Sequence, residues 1–310
     1  MNSVATPAPE MSVADNSVPD IERRSNLDAR EFVENYLRPR HPVILTDAAS
    51  AWPAYDHYTP EYFRQHHGDK RITIDEREWR LDDLIEALQT STQDKPGPYP
   101  CKFPVVRDFP ELLPELTPRI GYSLPDRQDS PLLPDRFFGG VNNLEIFFGG
   151  PGGRFPYLHY DVLHLHAWIT QLHGRKAFTL FAPDQEHLLY VNPDMPWQSN
   201  IENHQQPDYA RYPLFKQAVS RSVVIEPGET LFLPCGWWHT ARSLEMTISV
   251  AFDQLEASNW PDFKRDFGIE HRHGRPAMLA AVRAWLALTG PLLSLIEALG
   301  GGRDAHWKTR

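Results

Sequence analysis

The rhythm of hydrophobic and polar positions changes partway along the chain. Up to about residue 90 it is mixed. Leu27, Phe32, Val33, Tyr36 and Leu37 fall at helical spacing behind a capping Asn26, Thr59-Pro60 opens a second helix that ends at Gly68, and Leu81 to Leu88 predicts a third. Pro42 to Thr46 and Arg71 to Asp75 read as short strands. From Val141 strand patterns dominate: Val141 to Phe148, Ala167 to Leu172, Lys176 to Phe181, Ser222 to Ile225, Thr230 to Leu233 and Met246 to Phe252. Turn signals such as Gly149-Gly150-Pro151, His173-Gly174 and Pro227-Gly228 separate them, the spacing of a sandwich or barrel.

Three segments depart from this rhythm. Ser91 to Pro134 is rich in Pro, Asp and Ser and predicts a long surface excursion with short helical turns. Asp184 to Arg221, with Pro193, Pro196, Pro207 and Pro213, predicts an insertion between strands of the kind that shapes a binding mouth. Ala277 to Leu299 has apolar residues at helical spacing but is interrupted by Arg283, Gly290, Pro291 and Glu297, so two packed amphipathic helices are expected rather than a membrane span. They either cap the barrel or pair with a second subunit as a homodimer. The expected organisation is a disordered tail over 1–25, a β-rich domain over 26–260 and a helical appendage over 261–310.

Composition narrows the function classes. A chain of 310 residues can bury a substantial core, and its 29 prolines suit many short strands and turns better than a helical bundle. A formal net charge of −10 offers no global field for nucleic acid or anionic lipid, so neither is expected as a partner. The two cysteines, Cys101 and Cys235, form no CxxC pair, which argues against a disulfide framework or cysteine zinc site and suits a reducing cytoplasm. Met1 to Asn16 lacks the basic start and apolar run of a signal peptide.

The chemistry concentrates in two places. In His159-Tyr160-Asp161, residues two apart in an extended segment point to one side, so both side chains can reach one metal ion. His67-Gly68-Asp69 has the same spacing, but it ends a helix and reads as a terminal cation and a solvated turn residue. The second place is the run from Gly228 through Pro234-Cys235-Gly236 to Trp237-Trp238-His239, a turn, a buried strand and a kinked loop that presents a histidine. This run resembles the second signature motif of cupins: glycine, five residues, proline, any residue, glycine, two residues, histidine.

Together with His159 and Asp161, it makes Leu27 to Trp260 similar to the JmjC and cupin-like branch of the iron(II)- and 2-oxoglutarate-dependent oxygenases, which includes protein hydroxylases. The resemblance implies a mainly β fold with helical decoration, a double-stranded β-helix (jelly-roll), with N-terminal α/β elements and C-terminal helices. It implies Fe(II) held by His159, Asp161 and His239, and 2-oxoglutarate as co-substrate with its distal carboxylate on Lys176, from a Gly174-Arg175-Lys176 hairpin. The chain departs from the family where a threonine is replaced by Pro156 and where asparagines are replaced near Ala167 or Ile169 and at Ala251. Thr170 and Tyr99 are the candidate replacements for holding the co-substrate, and Asn143, His166 and Trp168 are candidates for the substrate pocket. The implied activity is hydroxylation of a protein or peptide side chain, or of a small metabolite, with conversion of 2-oxoglutarate to succinate. A metal-dependent cupin that uses no 2-oxoglutarate and a catalytically silent binding protein are the alternatives.

Overall fold

The computed structural model describes residues 21–138, 144–304, 306 and 307. The chain opens with β1 (Glu22–Arg24), α1 (Ala29–Phe32) continued by a π-turn over Val33–Leu37, β2 (Val43–Leu45), α2 (Ala54–His57) and α3 (Pro60–His67). A hairpin of β3 (Arg71–Ile74) and β4 (Arg77–Arg80) leads into α4 (Leu81–Gln89), β5 (Cys101–Pro104) and α5 (Val105–Asp108). The β-rich part holds β6 (Glu145–Gly149), β7 (His166–His173), β8 (Lys176–Phe181), β9 (Ser220–Ile225), β10 (Thr230–Leu233), β11 (Trp238–Ser243) and β12 (Thr247–Gln254). Two helices close the chain, α6 (Trp260–Glu270) and α7 (Pro276–Ala298).

Two sheets face each other, as expected of a jelly-roll. The larger has the order β1-β2-β10-β7-β12-β6-β5 and the smaller β11-β8-β9. Side-chain alternation assigns each face of the larger sheet a different job. Val43, Leu45, Trp168, Phe232, Ile248, Val250 and Phe252 point outward, where they form one core with Phe32 and the α4 residues Leu84, Ile85 and Leu88. Ile44, Ala167, Ile169, Leu231 and Leu233 point inward, toward Phe178, Leu180, Val223 and Ile225 of the smaller sheet.

Four expectations change. The segment expected as a tail already contributes β1, which pairs in parallel with β2, and Ile21 is buried. The cap of α1 is Asp28, whose Oδ1 accepts from Glu31 N at 2.8 Å, while Asn26 adopts φ +50° in the preceding turn. The Ser91 to Pro134 stretch is more than a surface excursion, because β5 pairs with β6 and Phe103, Val105, Phe109, Leu112 and Leu116 enter the outer core. Finally, α7 is one helix and not two.

Packing explains that continuity. Gly290 sits so close to α6 that an added Cβ would lie 2.4 Å from the Trp260 Nε1, and Leu286, Thr289 and Leu293 are buried on the same face. Docking thereby overrides the break expected at Pro291. By length and composition alone α7 could cross a bilayer, with 22% of its most apolar window buried.

Candidate metal centre

His159 and His239 are clamped backbone to backbone. His159 N donates to the His239 carbonyl at 3.0 Å, and His239 N donates to the His159 carbonyl at 2.6 Å. The rings therefore lie side by side, with centroids 4.4 Å apart. Asp161 sits in extended backbone two residues on, with its Oδ2 3.9 Å from the His239 Nε2. One donor atom from each of the three residues falls within 4.8 Å of the others, and this is the one such group of His, Cys, Asp and Glu among the described residues.

The hydrogen bonds around the donor atoms leave room for a divalent ion. His239 Nδ1 donates to the Trp237 carbonyl at 3.1 Å, which leaves the Nε2 lone pair free on the Asp161 side. Burial, and next the adjacent His239, push the His159 pKa well below the usual histidine range, so its ring is neutral. His159 Nδ1 is buried without a hydrogen-bond partner among the described residues. Two imidazoles and a carboxyl group gathered on one side fit iron(II), and would also suit zinc or manganese.

His239 is the second residue of β11, a strand hidden from the sequence because Trp238 to Ser243 is buried nearly throughout and mixes polar with apolar residues. The turn before it reverses at Gly236, where φ is +81°. His166 holds this turn. Its Nδ1 accepts from Cys235 N at 2.9 Å and its Nε2 lies 3.2 Å from Glu256 Oε1.

That position corrects three assignments on β7. His166, Trp168 and Thr170 share the face turned away from the cavity, whereas Ala167 and Ile169 line it. Trp168 Nε1 donates to Gln254 Oε1 at 3.0 Å, and the Thr170 and Thr230 hydroxyls lie 2.9 Å apart. Both faces of β7 are buried, so hydrophobicity did not reveal which one faces the site.

The cavity has a volume of about 500 Å³ and takes in His159, Asp161, His239 and Lys176. Lys176 is 3% exposed, and its Nζ donates to Ser249 Oγ at 2.6 Å. Burial pushes its pKa down to about 7. Arg175 points outward to Glu245 at 3.1 Å. Tyr99 packs its ring 5.7 Å from that of Phe155 and borders an adjoining cleft with Arg154 and Arg242, its buried hydroxyl unpartnered among the described residues. Asn143 lies outside the described residues. In the rejected pair, His67 Nδ1 lies 3.3 Å from Glu111 and Asp69 pairs with Arg80 at 2.7 Å. Sequence reasoning missed Glu145, Ser249 and Asp253, which line the cavity together with Lys102. Strand alternation on β6 and β12 was the available signal, since Ser249, Ala251 and Asp253 share a face.

Comparison with known proteins agrees with this geometry. Residues 29–253 match the model of the cupin-like domain. The chain is 25% identical over 274 residues to an arginine-specific demethylase, JMJ20, of Arabidopsis thaliana, covering 76% of this chain and 58% of that protein. It is 25% identical over 237 residues to lysine-specific demethylase 8 of Xenopus tropicalis, covering 71% of this chain and 49% of that protein. Over 121 residues it is 31% identical to the 2-oxoglutarate and iron-dependent oxygenase JMJD4 of Gallus gallus, covering 38% and 28%. The chain thus spans roughly half the length of the first two relatives.

Proposed function

The chain belongs to the cupin-like domain family, and from that premise we propose that it is an iron(II)- and 2-oxoglutarate-dependent oxygenase acting on a protein or peptide side chain or a small metabolite. The carrying observation is a lysine, Lys176, buried without a counter-ion among the described residues in the same cavity as a histidine-aspartate-histidine set. A buried ammonium held by one hydroxyl is costly unless an anion joins it, and a metal cupin without a dicarboxylate has no use for it. The name of the JMJD4 relative agrees with both cofactors.

In this reading His159, Asp161 and His239 hold the metal from one side, leaving the other open to ligands. Lys176 and Ser249 receive the distal carboxylate of 2-oxoglutarate. Phe147, Phe155, Phe178 and Ile169 form apolar walls that keep water from the reacting groups. Bound iron supplies the redox chemistry that couples decarboxylation of 2-oxoglutarate to oxidation of a C–H bond. No protein nucleophile is required, and the cavity's task is to hold one carbon in place. Hydroxylation of an N-methyl carbon gives a hemiaminal whose C–N bond breaks to release formaldehyde and leave N–H, so hydroxylase and demethylase outcomes differ only in which carbon is presented.

Anaerobic titration with iron(II) and 2-oxoglutarate tests the reading. A metal-to-ligand charge-transfer band, followed by oxygen-dependent succinate release, is expected. Iron binding without any affinity for 2-oxoglutarate would transfer the chain to the metal cupins that do not use it.

A further inference from the structure

We propose that the face of the smaller sheet turned away from the metal cavity carries a second binding site, for a phosphate group, free or as the monoester of a small molecule, received by Arg154, Arg242 and a row of three hydroxyls. None of these side chains lines the metal cavity, so the proposal stands apart from the oxygenase reading.

Strand register builds the row. Thr240 of β11 lies opposite Thr179 of β8, and Thr179 lies opposite Ser222 of β9. Their strand neighbours Ala241, Phe178, Leu180 and Val223 pack inward, so alternation turns the three hydroxyls outward. Two residues along β11, Arg242 lies opposite Ala177, whose small side chain leaves space above the sheet. Arg154 is bridged to Arg242 from the segment before His159, so the two guanidinium stems leave the same face side by side. His204, from the insertion between β8 and β9, borders the same cleft, which has a volume of about 210 Å³.

The polar groups of this cleft are left unmatched. Neither guanidinium pairs with a carboxylate among the described residues, and Asp94 of the adjoining cleft forms no ion pair with either. Arg242 Nη1 reaches only Gln93 Oε1, at 3.4 Å. Like charges directly opposite each other destabilise a sheet, yet this pair persists without an acid in a chain whose net charge is −10. The Thr179, Ser222 and Thr240 hydroxyls have no hydrogen bond among the described residues, and His204 Nε2 is buried without a partner among them. Burial, and next Arg154 and Arg242, hold the His204 pKa below the usual histidine range, so both guanidiniums act on this ring. An anion in the cleft would relieve the repulsion between the arginines and satisfy the hydroxyls together.

The donor set decides which anion. Two guanidinium forks and three hydroxyls offer more hydrogen bonds than the two oxygens of a carboxylate can use, whereas a phosphate group brings a third oxygen and close to a second charge. Arginine forks also match phosphate oxygens in pairs, a geometry that a lysine cannot supply. The size limits the rest of the guest, because about 210 Å³ falls below the range of drug-sized pockets and admits a phosphate with only a small group attached.

Isothermal titration calorimetry of the full metal-free chain at fixed ionic strength tests the site, with inorganic phosphate, glycerol 2-phosphate and acetate as probes. Inorganic phosphate should bind at least about tenfold more tightly than acetate. The double change Arg154→Gln with Arg242→Gln should weaken phosphate binding by at least about tenfold. Two controls should leave it within about twofold: Lys176→Met, which removes the buried cation of the central cavity, and Arg175→Gln, at an arginine already paired with Glu245. Tighter binding of glycerol 2-phosphate than of inorganic phosphate makes a monoester the occupant, and equal or weaker binding makes it the free anion; both keep the site. Phosphate held no more tightly than acetate by the unaltered chain overturns the proposal whether or not the variants fold. So does phosphate binding that survives the double change or disappears in Lys176→Met, since the anion would then sit elsewhere, in the second case in the central cavity.

Discussion

Two buried charged regions of this molecule are built on opposite plans. Around Arg119 the charges close on one another. Its guanidinium, side chain 2% exposed, donates to Asp126 Oδ2 at 2.7 Å and also pairs with Asp129, and it lies over the Trp307 ring. The other Asp126 oxygen accepts from the backbone N–H groups of Gln128 and Leu255, each at 3.1 Å. In the central cavity the charges stay open: Lys176 has one hydroxyl, the Asp253 carboxylate no partner, and His159 Nδ1 none among the described residues. A network whose charges pair with one another fixes the fold, even with the Arg119 Nε left without a hydrogen bond among the described residues, whereas charges left unpaired in a shared space await partners from outside.

The largest expected effect lies in the closed region and is confined to stability. Arg119→Met leaves the buried Asp126 without its Arg119 counter-ion, which should lower unfolding free energy by about 3–5 kcal/mol. Urea denaturation measures it, and metal affinity of the folded variant should stay within about twofold. A large loss of metal binding would erase the distinction between the two regions.

In the open region the largest effect is on the metal. His239→Ala removes a donor, so iron(II) affinity should drop by more than about a hundredfold, a loss that disturbing outer partners alone can approach. Metal content after dialysis at wild-type level would remove His239 from the site. The helical content should be retained.

Lys176→Met keeps the apolar stem and deletes the charge. It should weaken 2-oxoglutarate binding by roughly thirtyfold, about 2 kcal/mol, while iron(II) still binds. The unaltered protein should show a matching pH dependence. Because burial lowers Lys176 to about 7, the empty protein holds it neutral above that pH, whereas the dicarboxylate needs it charged. Affinity should therefore be flat below about pH 7 and fall above it by up to about tenfold per unit, with close to one proton taken up on binding. The same lowering makes the empty protein gain stability as pH rises above about 7, since the unfolded chain then binds the extra proton. Calorimetry in two buffers of different ionisation enthalpy reads the proton uptake, and an affinity independent of pH would mean that another cation holds the carboxylate.

How much of this was legible in the chain follows from which residues speak locally. His159 and Asp161 are two apart, and His239 sits in a run of fixed spacing, so the metal set could be read without a fold. Lys176 follows a glycine turn at Gly174, φ +65°, and was equally readable. The cavity walls were not, because they depend on strand register, and one residue of register exchanges the two faces. Asp253 illustrates this: nothing near it in sequence marks it, and its neighbours Ala167 and Glu145 come from other strands. The path of 91–134 was equally hidden, since its turns and prolines conceal the pairing of β5 with β6.

The smallest prediction tests the two faces of β7 directly. Thr170 was a candidate co-substrate ligand from its position before the Gly174 turn, yet its hydroxyl lies 2.9 Å from that of Thr230 on the side away from the cavity. Thr170→Val preserves shape and leaves the Thr230 hydroxyl without this partner, so it should cost about 0.5–1.5 kcal/mol of stability. It should leave 2-oxoglutarate affinity within about twofold, because uncoupled sites change one another little. The paired change Ser249→Ala, on the cavity face, removes the one hydroxyl bonded to Lys176 and should alter 2-oxoglutarate affinity more than Thr170→Val does. If Thr170→Val had the larger effect on affinity, the assignment of inner and outer faces on β7 would be reversed, and with it the placement of Ala167 and Ile169 beside the metal centre.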